Sequence, residues 1–137
     1  MYSKIMVPVD LAHVERLEKA LKTAADLARQ YGAQVCYVGV TSAAPGSVAH
    51  NPAEFKQHLD ELAASQSKAH GMGISTHEVV SHDPAVDLDG KLLDAVNETG
   101  ADLVVMASHV PGVLEHIFSS NAGYVASHAK VSVFVVR

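Results

Sequence analysis

The chain has 137 residues, of which 48% are apolar, and ten Lys and Arg against fifteen Asp and Glu give a formal net charge of −5. That size reads as one domain, 1–137, with a core of its own. No apolar run approaches a membrane span, the start lacks the pattern of a signal peptide, and the acidic balance argues against general nucleic-acid binding. The expectation is a soluble, cytoplasmic protein without a membrane or nucleic-acid partner. Cys36 is the only cysteine, so an intrachain disulfide and a cysteine-based zinc site are excluded. It lies within an apolar run and reads as a buried, inert thiol.

In chain order, Lys4 to Val9 predicts a strand that finishes near Pro8, because proline lacks the ladder donor. Asp10 follows at its carboxyl end. Val14, Leu17, Leu21, Ala24, Ala28 and Tyr31 recur at spacings of three and four and predict an amphipathic helix, stopped by Gly32. Gln34 to Val40 predicts a second strand, and Thr41 to Asn51 a loop. Asn51-Pro52 is a cap followed by a first-turn proline, and Phe55, Leu59 and Leu62 form the stripe of a helix running to about His70.

Ile74 to Ser81 predicts a third strand, polar enough for a sheet edge. Asp83-Pro84 repeats the cap-then-proline signal, and Leu88, Leu92 and Val96 mark the next helix, ended by Gly100. Gly90 costs that helix about 1 kcal/mol against alanine, so a start nearer Val86 competes with one at Pro84. Asp83, Asp87, Asp89, Asp94 and Glu98 fall in this segment and read as a solvated helix face. Leu103 to Ala107 is an apolar run short enough for a strand buried on both faces. Polar and turn-forming residues follow, then Ser119, Ser120 and Asn121 before a short helix ending near Lys130. Val131 to Val136 closes the chain as a fifth strand.

Strands alternating with helices imply an α/β fold, an open five-stranded parallel sheet with right-handed crossovers. Ligands of such sheets bind beyond the carboxyl ends of the strands, where a helix N-terminus attracts anions. A phosphate-bearing ligand held by the turn at Ser119 to Asn121 follows as the first functional hypothesis.

KIMVPVD at the start, AQVCYVGV, ETGADLVVMASH and HAKVSVFVVR at the end are similar to matching segments of the universal stress proteins, and the resemblance covers the whole chain. It implies a Rossmann-like sheet of order 3-2-1-4-5, with helices on both faces and a switch point between the first and fourth strands. It also implies adenine-nucleotide binding, ATP or AMP, coupled to a stress response. The family's phosphate motif is Gly, two residues, Gly, nine residues, Gly, then Ser or Thr. Here His109, Val110 and Pro111 offer no first glycine, Gly112 stands for the second, Ser119 replaces the third, and Ser120 keeps the hydroxyl. Ser108-His109-Val110-Pro111 and Ser119-Ser120-Asn121 resemble the branch that reads Ser-His-Arg-Pro and Gly-Ser-Asn. At Ser119 the added Cβ brings strain if φ is positive, a clash if phosphate packs on the Cα, and otherwise one more hydroxyl donor.

Carried over by that resemblance, Pro8, Val9 and Asp10 border the adenosine, and Val40 offers main-chain hydrogen bonds to the adenine. Met106 and Ala107 line the ribose, and His109, Gly112, Ser119, Ser120 and Asn121 surround the phosphates. With neutral donors and no lysine there, Mg²⁺ or Mn²⁺ is the ion that would compensate the phosphate charge. The resemblance also implies a homodimer through the last strand, Val131 to Val136, whose apolar edge a monomer would have to protect.

Read without a ligand, Asp10 caps the first helix, His109 is a solvated loop residue, and Ser119, Ser120 and Asn121 cap a helix. The nine histidines include pairs such as His77 with His82 and His109 with His116, which fit no usual ligand spacing, so no protein-held metal is predicted. There is no P-loop and no Gly-x-Gly-x-x-Gly turn. A response-regulator reading fails as well, because that family's acidic pair, later aspartate and lysine have no counterparts here. No catalytic residue is identified, so the expectation is not an enzyme, with hydrolysis slow at most. The alternative from another class is a dimeric, stress-regulatory interaction protein whose site has degraded and binds no nucleotide.

Overall fold

A computed structural model describes residues 1–108 and 121–137, the side chain of Ala85 excepted. The strands are β1 (Lys4–Pro8), β2 (Gln34–Ser42), β3 (Ile74–Ser81), β4 (Leu103–Ala107) and β5 (Ser132–Val136). The helices are α1 (Glu18–Tyr31), α2 (Pro52–His70), α3 (Pro84–Thr99) and α4 (Asn121–His128). The strands form one parallel sheet, as their alternation with helices predicts, in the order β3-β2-β1-β4-β5 that the family resemblance implies.

Strict alternation along the central strands sends side chains to two separate cores. Ile5, Val7, Val35, Tyr37, Leu103 and Val105 pack with α1 and α2 on one face. Met6, Cys36, Val38, Val104 and Met106 pack with α3 and α4 on the other. Both faces are covered, which is why these strands read as continuous apolar runs. Cys36 is buried, in line with an inert thiol. No helix among the described residues is long and apolar enough to cross a membrane.

Three sequence expectations are corrected. The helix predicted from Val14 onward is broken: a 3₁₀ turn (Leu11–Arg16) precedes α1, and His13 is non-helical at φ −137°, ψ 43°. The Asp10 carboxylate accepts from the Ala12 N–H at 3.0 Å, tightening the chain as it leaves β1. Val14 is therefore only partly buried, and Tyr31, at the far end of α1, is exposed.

The second correction concerns α3, which begins at Pro84 and not near Val86, with the Val86 and Asp87 N–H groups donating to the Asp83 carbonyl. The Asp83 side chain makes no cap bond; Ser81, almost fully buried, instead donates to Asp87 and accepts from the Asp83 N–H, both at 3.2 Å. Gly90 faces open space and is tolerated in the helix.

The third concerns β5. Its valines do not share one exposed edge: Val136 is buried, and Val131 and Val133 pack partly against the α3–α4 core. The exposed apolar side chains are Val135 and Phe134, at 37% and 46%.

Candidate functional site

Pro8 decides where the sheet opens. Backbone N–H groups alternate sides along a strand, and the Val9 N–H donates to the Val38 carbonyl of β2 at 2.8 Å. The missing Pro8 donor therefore faces β4. Pairing of β1 with β4 is confined to Ile5–Leu103 and Met6–Val104, whereas pairing with β2 continues to Pro8–Val38. The crevice at the carboxyl end of the sheet begins there, at the point where strand order reverses.

Val40 lies two residues beyond Val38 on β2, so its N–H and C=O face the β1 side. The last β1 pair is already behind it, so these groups lie beyond the end of the β1–β2 ladder. A cavity of about 250 Å³ occupies this position. Residues 9–12 after β1, 40–42 of β2 and 44–49 of the following loop line it, with Phe55 of α2 and Pro84 and Leu88 of α3.

Phe55 reaches the cavity because Gly39 has no side chain: a Cβ there would stand 2.7 Å from the ring. The loop is held by a Gly46 N–H bond to the Ala49 carbonyl and by Asn51, whose side chain accepts from the Glu54 N–H at 2.8 Å. Asp10 is the charged side chain of this lining, and one of its carboxylate oxygens is engaged in the cap on Ala12. Capping and lining the cleft are thus compatible roles for one residue. The rest of the lining is apolar or neutral, chemistry suited to a flat base and a sugar.

Of the residues singled out from sequence, Val9, Asp10 and Val40 are brought together in the cavity wall. Pro8 is buried at its entrance strand. The Met106 side chain is 1% exposed in the α3–α4 core, which leaves only its main chain to face a ligand. Ala107 is half-buried at the end of β4 and packs toward the α1–α2 core. Asn121 is the first residue of α4 and 7% exposed. His109, Gly112, Ser119 and Ser120 lie outside the described residues. The sequence reading missed Phe55, Pro84, Leu88 and residues 44–49, because a stripe position, a helix start and a loop carry no local mark of a shared cavity. Gly39 opposite Phe55 was the available signal.

A model of the universal stress protein family matches residues 1–137. Universal stress protein G of Salmonella typhimurium is 32% identical over 150 residues, covering all of both chains. A universal stress protein structure from Archaeoglobus fulgidus superposes with a TM-score of 0.71 at 25% identity, with both chains fully covered. A structure from the same organism in complex with dAMP gives 0.70 at 24% identity, covering 99% of this chain and 98% of that one. A family protein from Arabidopsis thaliana with AMP bound gives 0.62 at 16% identity, covering 98% and 90%. With the family model spanning the chain and a curated relative above 30% identity, the chain belongs to the universal stress protein family.

Proposed function

We propose that this universal stress protein binds an adenine nucleotide, ATP or AMP, in the cleft at the carboxyl ends of β1 and β2, with little or no hydrolysis. The observation that carries the reading is the Val40 main chain facing a mostly apolar cavity with Asp10 as its charged side chain. An N–H and a C=O on one residue match adenine's N1 acceptor and N6 donor; guanine offers O6 and N1–H in the reversed order. Val9 and Asp10 border the adenosine in this reading, and Ala107 and the Asn121 end of α4 lie toward the ribose and phosphates. His109, Gly112, Ser119 and Ser120 complete the phosphate side, with Mg²⁺ or Mn²⁺ balancing charge. The dAMP and AMP complexes of structural relatives support an adenine nucleotide.

A homodimer through β5, in a cytoplasmic setting, belongs to the same proposal. The exposed Phe134 and Val135 on an edge strand support it. The same exposure favours the second reading, a dimeric interaction protein without nucleotide.

Thermal unfolding with ATP-Mg²⁺, AMP and GTP separates the two. A ligand at about 100 times its dissociation constant adds roughly 2.7 kcal/mol. The proposal predicts a rise of several degrees with the adenine nucleotides and a smaller one with GTP. No shift at millimolar nucleotide leaves the second reading.

A further inference from the structure

The sheet face covered by α2 holds a carboxyl group that the cleft does not use. Glu78 lies on the edge strand β3, opposite Gly39 of β2. Paired residues of neighbouring strands share a face and stand about 5 Å apart. Glu78 therefore projects toward α2, beside the empty position that the Phe55 ring fills. Its Oε2 is shielded from solvent and has no hydrogen-bond partner among the described residues.

The lysine that acts on Glu78 is engaged elsewhere. Lys56, next to Phe55 in α2, donates from Nζ to Asp60 at 2.8 and 3.0 Å and to Thr76 Oγ1 at 3.0 Å. Burial pushes the Glu78 carboxyl up, Lys56 pulls it back, and Asp60 adds to the rise. On this face β2 presents Tyr37, Gly39 and Thr41 to β3, and the Tyr37 phenol, pushed up to about 12 by burial, stays neutral. The helix α3 covers the other face, where Glu98 meets His77 at 2.7 Å.

We propose that Glu78 makes ligand binding in the cleft proton-linked: a base seated on Phe55 closes the ring over Glu78, binding takes up a proton there, and affinity rises as the medium acidifies. The inference rests on the adenine reading of the cleft, whose wall includes Phe55. A ligand on the cavity side of the ring removes water from that side. A carboxylate without a partner to replace lost water gives way to the neutral acid. The sign follows by linkage. A carboxyl raised further by the ligand favours binding fully below its free value, and the gain is lost as pH rises through the bound value.

Calorimetric titration of the full chain with adenosine tests the proposal, because adenosine lacks the phosphate whose own titration would interfere. From about pH 7.5 to about pH 5.5 affinity should rise about threefold or more, with net proton uptake measured from the buffer dependence of the heat. Glu78→Gln should bind adenosine without that rise or uptake. In the unaltered protein, the titration midpoint of the Glu78 carboxyl ¹³C signal should move to higher pH on adding adenosine. Adenosine binding that is independent of pH, an equal rise in Glu78→Gln, or an unmoved ¹³C midpoint overturns the proposal and leaves the cleft reading standing. No adenosine binding at either pH overturns both.

Discussion

Gly39 shows how one absent methyl group shapes the cleft. The position lies in a buried strand, and its empty side is filled by Phe55, whose ring forms part of the cavity wall. An alanine would meet Phe55 Cε1 at 2.7 Å, Cζ at 2.8 Å and Leu59 Cδ2 at 3.3 Å. Gly39→Ala is predicted to destabilise the fold by about 1–3 kcal/mol through overpacking. It should also shrink the nucleotide-induced thermal shift, because the ring has to move. Denaturant unfolding and the thermal shift measure the two effects separately.

Two carboxyl groups respond to acid in opposite senses. The Lys4 N–H, with the Ser3 N–H and hydroxyl beside it, holds Asp102 below the usual carboxylate range. Its contribution is complete above the unfolded value of 3.8 and is lost as pH falls through the lowered native value. Glu78 is pushed up, first by burial and also by Asp60, against the pull of Lys56. Its Oε2 is shielded from solvent without a hydrogen-bond partner among the described residues. That carboxylate lowers stability increasingly as pH rises from 4.5 through the raised native value, and acid relieves the loss. Asp102→Asn should cost about 1 kcal/mol at neutral pH and flatten the acid-side fall. Glu78→Gln should leave neutral-pH stability equal or higher. Unfolding curves from about pH 7 to about pH 3 show both signs.

At the scale of elements, the strands and helices were legible wherever a local signal was strong. Asn51 caps α2, Pro52 opens it and Gly71 ends it at φ 64°, each as the residue type requires. β3 and β4 run over the residues the apolar pattern picks out. The signal failed where a local side-chain hydrogen bond overrode it. Val14 continues the apolar spacing of α1, yet Asp10 bonds Ala12 and sets a 3₁₀ turn in its place. Asp83 has the sequence of a cap, but Ser81 and Asp87 take the hydrogen bonds at that corner.

In β5 the apolar pattern was plain and its direction was not. Burial of Val136 and part burial of Val133 depend on the neighbouring helices. Under the proposed dimer, Val135→Lys should dissociate it with little loss of protomer stability, because Val135 lies outside the core. Val133→Lys should damage the fold as well. Sedimentation velocity at micromolar concentration tests this, and an unchanged dimer mass with Val135→Lys contradicts the interface.

Across the whole molecule, the cavity lies where the ends of β1 and β2 meet the following loop, α2 and α3. β1 and β2 stay paired to their carboxyl ends while β1 and β4 part early, and Pro8 supplies the physical reason. Asp102 ties the opposite ends of β1 and β4 together through Ser3 and Lys4. The separation is thus confined to the end that carries the cavity. Asp10 and Val40 were legible as candidates because both sit at strand ends, and both line the cavity. The burial of the Met106 side chain was not legible, since which face of β4 it occupies is set by register with β1 and β5. The loop wall at 44–49 was illegible for a related reason: a loop becomes a wall only once α2 and β2 are packed.

The central claim is that adenine seats against Val40 in this cleft. Titration of the ¹⁵N-labelled protein with AMP, followed residue by residue, tests it most directly. The account predicts the largest saturable shifts at the Val40 amide and at Asp10, Leu11 and Ala12, with GMP at equal concentration giving much smaller ones. Shifts centred away from the ends of β1 and β2, or none at millimolar AMP, would contradict it.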